Sequence, residues 1–301
     1  MTDTRTAKEQ KHGARYETST STRHAFDRIF AILVFVATIF GLVVLGALLV
    51  DIFVDGLPQL SLDFITNFPS SLPDNAGIFP ALIGSLWLLA LTALIAVPLG
   101  IGAAVYLEEY AADTWANRLV EINISNLAGV PSIVYGLLAL GIFVNVLQPI
   151  TGGKTVLSGA LALSLLILPV IIIATREALR AIPDTVREGG YALGATRWEV
   201  IRYHLLPMAL PGALTGTILA LSRAIGETAP LLDVGAVTFN TFAPEPFSDF
   251  TALPIQIYYW ISQPQDEFKL LAAAAIVVLM AVLILTNSFA IWLRNRTQRG
   301  N

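Results

Sequence analysis

Six stretches of this chain are apolar over membrane length, near 25–50, 78–107, 119–147, 156–175, 211–232 and 270–293. A helix needs about 20 mostly apolar residues to cross a bilayer. The spacing therefore predicts an all-α integral membrane protein with six transmembrane helices. Charge agrees: only 13% of the 301 residues are Asp, Glu, Lys or Arg, where a soluble domain would carry about a quarter. The first run is too long for a signal-peptide core and reads as an uncleaved signal anchor. Before it, residues 1–24 are rich in Ser, Thr and charge and predict a disordered tail. The sequence has no cysteine, which excludes disulfides, iron–sulfur clusters and a thiol nucleophile. His12, His24 and His204 lie outside the apolar runs and far apart, so no metal or other cofactor site is expected.

Orientation follows from the basic residues. With the N-terminus inside, 15 of the 18 Lys and Arg fall in inside segments, and the outside segments hold only Lys154 and Lys269. Both termini are expected in the cytoplasm, with 294–301 as a short C-terminal tail. The first helix and its outside loop occupy 25–77, and the remaining membrane domain 78–293. The loop 233–269 is long and acidic and carries Tyr258, Tyr259 and Trp260. A short interfacial helix is expected there, its aromatic residues serving as an anchor or as a gate. Gly and Pro interrupt several runs (Pro98, Gly100, Gly102, Gly129, Pro131, Gly136 and Pro169). Close packing and kinks account for them before ligand contact does.

The inside connection 176–210 does not look like a loop. Thr185 with Glu188, and Thr196 with Glu199, both fit the S/T-x-x-E capping box. Gly194 lies between them, where a helix end favours a residue that accepts positive φ. Two short helices are expected, joined at Gly194 and ended before Pro207, with Trp198, Ile201 and Leu205 on one face. Because the membrane holds this segment at both ends and its charges alternate in sign, it is not a nucleic-acid reader. It is either a surface-lying elbow or a plug for a cytoplasmic partner. "TGGKT" (151–155) lacks the first glycine of a P-loop, so any ATPase must be a separate chain.

The fifth run contains Arg223 and Glu227. An Arg near mid-membrane costs about 2.5–3.5 kcal/mol on insertion scales. At i, i+4 the two residues share a helix face, so Glu227 can neutralise Arg223 during insertion. The alternative is functional. A guanidinium offers paired donors to an oxyanion, and a neighbouring carboxylate keeps that binding weak enough for release.

"EGGYALGATRWEVIRYHLLP" (188–207) resembles the E-A-A-x3-G-x9-I-x-L-P motif of ABC-importer permeases. Glu188 matches the Glu, Gly189 and Gly190 replace the two Ala, and Gly194 matches the Gly. Leu206 and Pro207 close the motif, and His204 stands where an apolar residue is usual. "IAVPLGIGAAVYLEEYA" (95–111), "AGVPSIVYGLLALG" (128–141) and "LSRAIGETAPLL" (221–232) narrow the resemblance to permease subunits of phosphate ABC importers. The resemblance implies a type I ABC importer permease fold with a cytoplasmic coupling-helix elbow over 185–207. Glu188, Gly189, Gly190, Gly194, Trp198, Leu206 and Pro207 would then contact the ATPase, and Arg223 and Glu227 would line the phosphate path. It also implies a second permease subunit, two copies of an ATPase subunit and an extracytoplasmic phosphate-binding protein as partners. The chain would be a transport subunit in the cytoplasmic membrane and not an enzyme. Its rivals are a permease for sulfate or molybdate, an intramembrane enzyme and an ion-coupled transporter.

Overall fold

The computed structural model describes residues 20–298. They form helices joined by turns, with no strand among the described residues. The chain divides into two compact units, Met1–Ile52 and Phe53–Asn301. The first is the greater part of α1, Thr20–Gly56. Its apolar side chains, Phe30, Phe35 and Phe40 among them, are exposed on all sides, as suits a helix with no polar face. α1 starts at Thr20, so the last residues of the expected tail are helical. The rest of that tail, 1–19, lies outside the described residues, as do 299–301.

The second unit holds α2 (Phe79–Val105), which ends in a wide π turn over Tyr106–Tyr110. α3 (Trp115–Leu127) and α4 (Ser132–Ala139) follow, and α4 continues as a π-helix through Val146. Next come α5 (Val156–Arg180), α6 (Asp184–Ala192) and α7 (Arg197–Gly226), which includes a π stretch at Ile201–Leu205. The last elements are α8 (Ala229–Val234), α9 (Leu253–Ile261) and α10 (Asp266–Gln298). Five of these helices, α1 included, are long and apolar enough to cross a membrane, and α3 with α4 makes a sixth crossing bent by 107°.

The expected third span, 119–147, is therefore broken. Pro131 begins α4 with φ −56° and ψ 137°, and a proline drives the residue before it out of the α region. The expected fifth span, 211–232, is both longer and shorter than predicted. It begins at Arg197 and stops at Gly226. In a continuous helix the Pro230 ring would clash with the Gly226 carbonyl, so the helix ends and restarts as α8. Nor does the second elbow helix end before Pro207. The π stretch carries it through, with the Leu206 N–H donating to the Ile201 carbonyl. That wider register accommodates the proline without a break. Residues 294–298, expected as tail, prolong α10.

α5 is the central helix, with α2 parallel and α7 antiparallel to it. The Thr92 hydroxyl donates to the Ala160 carbonyl at 3.3 Å, and a Cβ on Gly100 would lie 2.6 Å from Ile171. On α7 the small residues Gly212 and Gly216 face Ala178 and Ala174. This is the small-xxx-small contact that lets membrane helices approach closely. A Cβ on Gly216 would overlap that of Ala174, so Gly216→Val should destabilise the bundle by about 1–3 kcal/mol through overpacking. The check is the melting temperature of the detergent-purified protein, which should fall by several degrees; Gly102→Ala, where a Cβ meets nothing, is the control.

The segment 235–252 is no free loop. The first N–H groups of α5 need acceptors from elsewhere, and Val156 and Leu157 donate to the carbonyls of Ser248 and Pro246. Phe250 fills the space opposite Gly159. The expected helix after this segment is α9, but Trp260 does not face outward as an anchor would. It is buried between Phe64 and Phe268, while Tyr258 is exposed.

Candidate functional site: the elbow and the charged break

The elbow forms as two capped helices joined by four residues, Leu193 to Thr196. The Gly194 N–H donates to the Tyr191 carbonyl at 2.9 Å and the Ala195 N–H to the Gly190 carbonyl at 3.1 Å. This is the Schellman pair of bonds, with Gly194 in the left-handed region at φ +83°. Thr196 then caps α7. Its N–H donates to Glu199 Oε2 at 2.7 Å, and the Glu199 N–H donates back to its hydroxyl at 3.4 Å. The other predicted box does not form. Pro183 occupies the cap position of α6 without a side-chain bond, and Thr185 lies inside the helix.

The elbow residues divide by burial. Glu188, Gly189, Gly194 and Trp198 are exposed, while Leu206 and Pro207 are partly buried. Gly190 is buried, and a Cβ there would lie 2.7 Å from Val200. It sets how closely α6 lies on α7, whereas Gly189 has open space around it. The predicted face of α7 splits: Ile201 and Leu205 are fully buried, and Trp198 is 54% exposed. Trp198 instead borders an apolar groove with Pro98, Val105, Tyr106 and Tyr110 of α2 and its π turn.

Arg223 and Glu227 meet, but not along one helix face. Arg223 stands in the last turn of α7, and Glu227 caps that helix with an extended backbone, ψ 121°. Arg223 Nε donates to Glu227 Oε1 at 3.0 Å. A cation in a last turn is also favoured by the helix dipole, so the break itself offsets part of the cost of placing an Arg here. The helix end is nonetheless deep. Ala224 lines a small cavity with Leu88, Thr92 and Leu163, and Leu163 is two turns into α5, about 10 Å at 1.5 Å per residue. The Arg223 side chain is 46% exposed and that of Glu227 18%. Among the described residues neither Nη of Arg223 has a partner. A two-pronged donor thus stands open at an unwound point between α7 and α8, beside one carboxylate.

A second charged cluster was not singled out from the sequence. Adjacent Glu108 and Glu109 sit on the π turn after α2. Glu108 accepts from Arg176 Nε at 3.2 Å and Arg180 Nε at 2.9 Å, and Arg176 also donates to Glu121 of α3 at 2.5 Å. Glu109 accepts from Arg187 of the elbow at 2.8 Å. That bond pushes the Arg187 guanidinium above its ordinary range. The signal lay in the i, i+4 pair Arg176 and Arg180 and in two carboxylates placed directly after an apolar run.

Comparison with known proteins fits this geometry. Residues 96–299 match the model of the family described as binding-protein-dependent transport system inner membrane component. The chain is 35% identical over 274 residues to the probable ABC transporter permease protein YqgI of Bacillus subtilis strain 168, covering 84% of this chain and 92% of that one. It is 32% identical to the probable phosphate transport system permease protein PstA of Methanocaldococcus jannaschii, covering 86% and 90%. To the phosphate transport system permease protein PstA of Pasteurella multocida it is 31% identical, covering 88% and 92%. Among solved structures, a chain of a bacterial alginate ABC transporter aligns over 91% of this chain and 96% of its own, with TM-score 0.64 and 16% identity. A chain of the MetNI methionine ABC transporter aligns over 74% and 96%, with TM-score 0.54 and 21% identity. The fold is that of type I ABC importer permeases, and the chain belongs to the binding-protein-dependent transport system inner membrane component family, the multi-pass permease subunits of ABC importers.

Proposed function

We propose that this chain is the PstA-type permease of a phosphate importer and that Arg223 is a point of contact with the anion on its way through the membrane. The observation that carries the site is Arg223 itself, half exposed beside a helix break with both Nη atoms open. A guanidinium in that state offers two parallel donors to an oxyanion, and Glu227 competes for it so that the ion leaves again. The choice of phosphate draws on the two relatives named PstA. The elbow is the coupling element for a separate ATPase subunit, with Glu188, Gly189 and Trp198 presented outward. The distribution of Lys and Arg supports a cytoplasmic side for the elbow and both termini. A second, PstC-like permease, two PstB-like ATPase subunits and a PstS-like phosphate-binding protein complete the importer in the prokaryotic cytoplasmic membrane. This chain contributes no catalysis.

The test is uptake by the complete importer reconstituted in vesicles. Labelled phosphate should enter only with ATP on the face that carries the elbow, and a tenfold excess of sulfate or molybdate, roughly 1.4 kcal/mol of mass action, should leave the rate unchanged. Competition by sulfate or molybdate at that excess would move the assignment to the other oxyanions. Uptake without ATP on an ion gradient would remove the importer reading altogether.

A further inference from the structure

Nothing assigned so far uses Glu109 or Arg187. Glu109 is 6% exposed, and its one side-chain partner among the described residues is Arg187 of α6. Nη2 donates to Oε1 at 2.8 Å and Nε to the same oxygen at 3.2 Å. The guanidinium also donates through Nη2 to the Leu179 carbonyl at 3.2 Å, in the last turn of α5, and through Nη1 to the Ile182 carbonyl at 3.0 Å, just after that helix. One planar group thus ties three elements together: the elbow helix, the last turn of α2 and the end of α5. Its remaining bond, to Asp184 at 3.2 Å, lies within α6.

Otherwise α6 leans on the bundle through Val186 and Gly190, and its remaining side chains are exposed or face the solvent side of the elbow. Apolar contacts of this kind permit sliding. A guanidinium with its donors fixed in a plane sets orientation as well as distance, which an ammonium does not. Glu108, next to Glu109 on the π turn, carries the connection to Arg176 and Arg180 of α5, and Arg176 carries it on to Glu121 of α3.

We propose that Arg187 is a positioning residue through which displacement of the elbow reaches α2 and α5 together, so that α6 and the adjoining ends of those two helices move as one body. The inference rests on the reading of the elbow as the ATPase-coupling element. Coupling between sites is a free energy carried by elements with two discrete arrangements, and here the moving element is this clamped unit.

The reconstituted importer, with its ATPase and binding protein, tests this by the ratio of ATP hydrolysed to phosphate taken up. Arg187→Glu and Glu109→Arg should each retain the ATPase subunits and hydrolysis, while the ratio rises by about tenfold; the doubly swapped protein should return it to near the wild-type value, as expected of coupled partners. Arg187→Lys should restore only part. Because the sequence has no cysteine, a second measurement is available should a swapped protein fail to assemble. Arg187→Cys with Glu109→Cys, joined by a short bifunctional thiol reagent, should still transport phosphate if the elbow and α2 move together. Transport that stops on joining and resumes on cleavage of the reagent would overturn the proposal. So would uptake and hydrolysis that fall in proportion to assembled complex, because Arg187 would then only hold the fold. Failure of the underlying elbow reading shows separately, as normal uptake and hydrolysis in Gly194→Val.

Discussion

Arg223→Gln should abolish phosphate uptake, by about 100-fold or more, while the importer still assembles and still binds its phosphate-loaded partner. The glutamine keeps a hydrogen-bonding side chain but removes the charge and the open pair of Nη donors. Loss of one partner of a desolvated charged contact costs about 2–5 kcal/mol, and 2.7 kcal/mol already corresponds to roughly 100-fold. Arg223→Lys should recover only a fraction of the rate, since a point charge lacks the fork. Glu227 should behave differently from a buried counter-ion. Arg223 is 46% exposed in this chain and Glu227 18%, so their mutual bond is worth about 0–1 kcal/mol at most. Glu227→Gln should therefore leave assembly almost unchanged and slow release. Arg223→Gln with Glu227→Gln should take up phosphate no better than Arg223→Gln alone. Wild-type uptake by Arg223→Gln would reduce the pair to neutralising its own helix during insertion.

How far this site was legible in the sequence depended on which signals are local. The spans were legible because a run of apolar residues needs no partner to declare itself. Gly194 and the Thr196–Glu199 box were legible because their bonds close within a few residues. Proline gave weaker guidance. Pro98 and Pro169 sit inside long helices, Pro207 is carried through by a π stretch, and Pro230 forces the break that removes Glu227 from α7. The four have the same local chemistry, and the outcome is set by whether a neighbouring register can absorb the missing N–H. Thr185 and Glu188 match the capping box as well as Thr196 and Glu199 do. They fail because Pro183 already fixes where α6 begins. In the Glu108–Glu109 network the charges stand out locally but their pairing does not: the partners are 55 to 78 residues apart, and no local pattern joins them. Trp260 shows the same limit. An aromatic residue near a span end suits the membrane boundary, yet Phe64, distant in sequence, and Phe268 of the next helix enclose it.

Gly194→Val should uncouple or detach the ATPase, with uptake falling about tenfold or more while the six spans stay folded. The reason is confined to one backbone angle. Gly194 has φ +83°, and a Cβ there would touch nothing within 4 Å, so no packing is lost. A β-branched residue, however, is a true outlier in the left-handed region, at a cost of about 1–3 kcal/mol. The cheapest escape is to give up the two bonds to Tyr191 and Gly190 and let the turn open. α6 would then swing relative to α7, because only Ala195 separates the glycine from the Thr196 cap. Gly190, which lies against Val200, would lose that contact first. Gly194→Asn supplies the control, since Asn tolerates the left-handed region and should keep most of the activity. The measurement is ATPase retained on purification, together with ATP-driven uptake in vesicles, for all three proteins at equal amounts of folded chain. If Val and Asn are impaired alike, the angle at Gly194 is not the cause; if both keep normal uptake and retain the ATPase, the elbow is not the coupling element.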